Sequence, residues 1–224
     1  MNDRKIVPLF PLDMVQFPVA LTPLHIFEPR YRQMLEDVQV GDGIFGIIYR
    51  QYDDLAEVGT LVKVALNRPL ADGRSNILCI GVTRFRVMRL ILDDESPYLR
   101  AEIETFEDEP DFEHPERLED LATTLRDLLK RLIAARRLVD GKDQDDPEDT
   151  SDEADDPQLL SFFIAAYLDF ELSVKQRWLE MTSTALRLKT LESYLSPLVE
   201  EYEWRVEVLQ LSKTNGHGGN PTIH

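Results

Sequence analysis

One cysteine, four histidines, a glycine–lysine pair and a run of carboxylates are the residues of this 224-residue chain whose types could do chemistry. A thiolate nucleophile needs an exposed sulfur and a neighbouring base. Cys79 stands instead in the apolar run ILCIGV, where a buried core cysteine is expected. His25, in LTPLHIF, has no recognisable carboxylate or nucleophile around it and reads as a hydrogen-bonded structural histidine rather than a general base. His114, His217 and His224 are scattered, and neither HExxH nor CxxC occurs, so no metal centre is expected. Residues 140–156 are rich in carboxylates, but a calcium loop needs glycine at its sixth position. Counting from Asp145 the sixth residue is Thr150, and Pro147 interrupts the run, which reads as a solvated linker. The Gly141-Lys142 pair is followed by Asp143 where a phosphate loop needs serine or threonine, and no GxGxxG occurs. Trp178 and Trp204 read as core or inter-helix anchors. The sequence therefore leads to no expected catalytic residue, no cofactor and no metal.

The formal charge is −17, of which residues 139–157 supply −9 through ten acidic residues and one lysine. A surface so acidic repels polyphosphate and anionic lipid, so neither a nucleic acid nor a membrane is an expected partner. A single cysteine allows no intrachain disulfide, and the N-terminus MNDRKIVPLF lacks a signal-peptide core, so a cytoplasmic location is expected.

What would position a functional surface is a β-rich first half. Residues 5–10 and 20–27 read as strands broken by Pro8 and Pro23, which belong at edges, at bulges or in a curved, barrel-like sheet. Glu28-Pro29 opens a helix whose Tyr31, Met34, Leu35 and Val38 share one face, and Gly41 and Gly43 stop it. Strands follow at 44–50, 58–66, 76–82, 84–92 and 98–105, with Asp72-Gly73 as a hairpin turn. In 58–66, strict alternation places Thr60, Val62, Val64 and Leu66 on one face.

Near residue 106 the period becomes helical. A leucine stripe runs over 115–138, Asp156-Pro157 starts a second helix, Ser173 and Gln176 read as a capping box for a third, and a fourth begins near Ser183 with Pro197 inside it. The expected fold is α+β: a β-rich pseudo-barrel subdomain with one helix over 1–106, a four-helix subdomain over 107–211 carrying the acidic insert 139–157, and a disordered tail over 212–224.

The order of VPLFPLDMVQFPVALTPLHIFEPRYRQML, EVGTLVKVALNRPLADGRSNILCIGVTRFRVMRLI, YLRAEIE and ELSVKQRWLEMTSTALRLKTLESYLSPLVEE resembles the N-terminal substrate-recognition domain of the ATP-dependent Lon proteases. The resemblance covers most of 6–205 outside the acidic insert. The ATPase and protease modules of a full Lon protease, with their Walker motifs and Ser-Lys dyad, have no counterpart positions here, so the chain is similar to the free-standing proteins made of this domain alone. The resemblance implies a non-enzymatic module that engages unfolded or client proteins, or an adaptor for a separate ATP-dependent protease or chaperone. Phe17, Pro18, Phe27 and Pro29 are the candidate protein-binding residues, with Phe17 and Phe27 as plain core being the simpler reading. Arg30 and Arg32 read as a solvated helix face that could also meet an acidic ligand. The alternatives are a small-molecule or cryptic enzymatic site in a cleft between the two subdomains, and a mainly homo-oligomeric role.

Overall fold

Strand β1 (Arg4–Leu12) changes partners halfway, and the sheet closes because of it. In the computed structural model, which describes residues 4–52, 54–92, 96–110, 115–140 and 155–215, Arg4–Pro8 pair antiparallel with β6 (Arg100–Phe106). Leu9–Leu12 then pair parallel with β3 (Ile44–Gln51). Pro8 sits at that hand-over, so its missing donor falls where one ladder ends and the next begins. β3 pairs with β4 (Asp54–Pro69), β4 with β5 (Ser75–Ile91), and β5 returns to β6, closing a five-stranded ring. β2 (Leu21–Ile26), which carries Pro23, lies outside the ring, paired with residues 75–80 of β5.

Phe85 fills the ring and is fully buried with Leu9, Leu61, Ala101 and Ile103. Two glycines make room for it: a Cβ on Gly46 would stand 2.8 Å from the Phe85 ring, and one on Gly59 2.6 Å from that ring and 2.5 Å from the Ile47 carbonyl oxygen. Helix α1 (Pro29–Val40) lays Tyr31, Met34, Leu35 and Val38 over Phe10, Phe45, Val62 and Cys79, the face its spacing predicts. The segment between β1 and β2 is knit by Gln16, whose Nε2 donates to the Phe17 and Ala20 carbonyls and whose own carbonyl accepts from Thr60 Oγ1 at 2.6 Å.

The alternation expected in 58–66 breaks. A β-bulge between Val64 and Leu66 leaves Ala65 unpaired. Val64 stays opposite buried Cys79, while Leu66 faces Leu78 on the outside, 60% exposed. One extra residue reverses the side to which every later residue points.

In the helical half, α2 (Pro115–Asp140) and α5 (Thr184–Asn215) run side by side in the same direction. Arg117 and Leu121 share a groove with Ala185 and Lys189, and Arg131 meets Glu203 further along. α3 (Pro157–Tyr167) is capped by Asp156, whose side chain accepts from the Gln158 and Leu159 backbone N–H groups. α4 (Leu172–Glu180) departs from expectation, because Ser173 lies inside the helix and no side chain caps it. Gln176 instead donates to the Val58 carbonyl at 3.0 Å, tying α4 to β4. Trp178 is buried, with Phe170 and Tyr194 in edge-to-face contact with it at 5.4 and 5.5 Å. Trp204 is not an anchor: it is 63% exposed, on a stretch of α5 beyond the last fully buried residue of that helix, Val199. Helix α5 also runs through Pro197 and reaches Asn215, four residues into the stretch expected to be a polar tail.

Candidate functional site

The groups with chemical potential are placed singly. Cys79 is completely buried, and that burial pushes its thiol up to about 12, so it is no nucleophile. His25 Nδ1 donates to Asn76 Oδ1 at 2.6 Å, and Arg74 Nη1 approaches Nε2 at 3.5 Å. Among the described residues no group of three or more His, Cys, Asp or Glu side chains could hold a metal, and no helix is long and apolar enough to cross a membrane. His114, His217, His224 and the acidic stretch 141–154 lie outside the described residues.

The strongest electrostatic feature was not legible in the sequence. Arg84 and Arg187, essentially without solvent exposure, share the single carboxylate of Asp108 where the β half meets the helices. Arg84 donates to Asp108 Oδ1 at 2.5 Å and to the Leu179 and Met181 carbonyls; Arg187 donates to Asp108, to Ser161 Oγ at 2.7 Å and to the Met181 carbonyl. The Thr184 hydroxyl also donates to Asp108, and both guanidiniums cover the Phe162 ring, at 5.0 and 4.1 Å. Burial alone would raise the Asp108 carboxyl; hydrogen bonds and charge from Arg187, the Thr184 hydroxyl and Arg84 outweigh it and hold it below the ordinary value of 3.8. Arg84, Arg187 and Thr184 all donate into the cluster, which forms a latch between the halves.

An exposed face with apolar side chains lies on the outer side of β2, β5 and β4. Directly opposed residues on neighbouring strands point the same way. The register therefore sets three rows: Leu21–Ile80–Lys63, Pro23–Leu78–Leu66 and His25–Asn76–Arg68. Leu21 and Leu66 are each 60% exposed, and Phe27, 59% exposed, continues the face with its ring stacked on His25 at 6.0 Å. Of the four sequence candidates, Phe27 and Pro29 are accessible. Phe17 and Pro18 are buried, with the Phe17 ring 6.4 Å from that of Phe162 in the core shared by the halves. Sequence reasoning missed Leu21 and Ile80, which strand alternation could have placed, and Leu66, which only the bulge turns outward.

A separate cavity of 290 Å³ lies between the β3–β4 hairpin and α4, lined by Tyr49, Gln51, Asp54, Ser173, Gln176 and Glu180.

A five-stranded barrel seated on a helical half defines the class of this protein, an α+β domain. The sequence model described as the ATP-dependent protease La (LON) substrate-binding domain matches residues 6–196, and the chain belongs to that family. The Lon protease of Anaeromyxobacter dehalogenans is 26% identical over 224 residues, covering 92% of this chain and 24% of that protein. This chain thus spans about a quarter of the length of the curated relatives it matches. Among solved structures, the Lon N-terminal domain protein from Xanthomonas campestris aligns with a TM-score of 0.61 at 24% identity, covering 85% of this chain and 98% of that one. The N-terminal domain of Mycobacterium avium complex Lon protease aligns at 0.65 and 20%, covering 86% and 98%. These two likenesses establish the fold.

Proposed function

We propose that this chain recognises unfolded client proteins through the outer face of β2, β5 and β4, without chemistry of its own, and presents them to a separate ATP-dependent protease or chaperone. The observation that carries the reading is the set of rows centred on Leu21, Leu66, Leu78 and Ile80, extended by Phe27 and, at the start of α1, Pro29. Contiguous exposed apolar surface of this kind marks interaction sites. Phe17 and Pro18 contribute from beneath, fixing the segment from which β2 departs. The test is binding of a reduced, alkylated and hence permanently unfolded model protein, followed by fluorescence anisotropy. Replacing both leucines with aspartate (L21D/L66D) removes two apolar contacts and adds two charges. An affinity loss of about tenfold or more is expected, and unchanged binding sinks the proposal.

A second reading, a small-molecule site between the halves, is favoured by the polar groups that converge on the 290 Å³ cavity. That volume stands at the small end of ligand pockets, roughly 300–1,000 Å³. Native mass spectrometry of protein taken from its own cells tests it, a co-purifying small ligand being the expected result. A homo-oligomeric role for the open face is tested by light scattering.

A further inference from the structure

The open sheet face is bounded by two cations. Lys63 and Arg68 are exposed at opposite ends of the β4 portion of that face, in the first and third rows, with Leu66 between them. Neither is in an ion pair with a described residue, whereas Arg30 is paired with Glu28, Arg74 with Asp72 and Arg89 with Glu102. In a chain of net charge −17, these two cations frame an apolar strip without a carboxylate of a described residue to neutralise them. Pro23 leaves a gap in the donors along β2, among the described residues the one strand outside the closed ring, which disfavours adding a further strand to that edge. Recognition then falls to side chains on the face rather than to backbone ladders.

We infer that the preferred occupant is an extended client segment in which an apolar residue is flanked two positions away on each side by a carboxylate, the pattern acidic–x–apolar–x–acidic. This rests on the client-recognition reading and names its substrate class. An extended strand sets same-side residues about 6.6 Å apart, so carboxylates four residues apart span about 13 Å. Lys63 and Arg68 are five positions apart along a strand shortened by its bulge, about 16 Å at most, and their long side chains cover the difference. The central apolar residue then lies over the row of Pro23, Leu78 and Leu66. The intervening residues point to solvent and are free to vary. The same cations repel basic segments, so discrimination comes from both signs.

The test uses the full chain and three fluorescein-labelled peptides with a common apolar centre, flanked by Glu, by Gln or by Lys. In low salt the Glu-flanked peptide is expected to bind about tenfold tighter than the Lys-flanked one, with Gln between and the spread shrinking as salt is added. In the doubly charge-reversed variant K63E/R68E the order is expected to invert, an outcome that a folding defect does not produce. Equal affinity for all three peptides overturns the inference while leaving client recognition standing. Failure of all three to bind, with the unfolded protein also unbound, overturns both. A dimer in light scattering that dissociates on L21D/L66D substitution assigns the face to a second copy and likewise overturns the inference.

Discussion

At the residue scale, one carboxylate between two buried guanidiniums decides whether the halves stay joined. Charges with so little exposure require complete pairing, and removing one partner leaves the others uncompensated. Asp108→Asn keeps the shape of the side chain but strands Arg84 and Arg187. A loss of about 3–5 kcal/mol in urea denaturation is expected from breaking a buried ion pair. The sign of the pH dependence follows from the depressed Asp108 carboxyl. Its contribution is present above the carboxyl's unfolded value of about 3.9 and is lost as pH falls through the lower folded value. Wild-type stability is therefore expected to drop on acidification below about pH 4 by more than that of D108N, in which this carboxyl is absent. Equal acid slopes for the two proteins show that the latch does not act through this group.

At the element scale, the family's Glu-Val-Gly-Thr and Gly-Val-x-Arg-Phe stretches become one object. Gly59 and Gly46 line the space that Phe85 fills, and Arg84, the neighbour of Phe85, turns the other way into the latch. Alternation along β5 makes that division possible, because adjacent residues point to opposite sides. The two glycines differ in what limits them. Around Gly46 the nearest atoms belong to the Leu9 and Phe85 side chains, whereas Gly59 also faces the Ile47 carbonyl oxygen of the backbone. Gly46→Ala should cost about 1–3 kcal/mol through overpacking, and a smaller residue at the centre, Phe85→Leu, should recover part of it in a double-mutant cycle. Gly59→Ala should not be rescued in this way, since a carbonyl fixed in the β3–β4 ladder has nowhere to go. Thermal unfolding of the six proteins checks both statements; rescue at both sites contradicts the assignment of the clash to the backbone.

At the scale of the whole molecule, the latch, the Gln176–Val58 bond and the Phe17–Phe162 contact all cross between the β half and the helices. The helical core accordingly takes in Val15, Phe17 and Val58. Shared burial of this kind couples the two halves. In a Trp204→Phe background, Trp178 fluorescence reports the helical half, and labelling of the Cys79 thiol reports the β half. The two probes are expected to give coincident urea midpoints, and separate midpoints mean that the seam does not bind the halves into one cooperative unit.

Local pattern alone determined a good deal. The face of α1 follows from 3.6-residue spacing, the Asp156 cap from the residue types around Pro157, the inertness of Cys79 from its apolar neighbours, and the family from the order of its motifs. These are properties of adjacent residues, so adjacent residues report them. Long-range pairing decided the rest. A closed ring puts Pro8 between two ladders, and a bulge at Ala65 turns Leu66 from core to surface. Phe17 is drawn under Phe162 while Phe27 is left open, although the two sit in similar contexts in the sequence. Arg84, Asp108 and Arg187 meet only because β5, the end of β6 and the start of α5 converge. Residues far apart in the chain share no local signal, and which of them become neighbours is fixed when the barrel closes and the helices pack against it.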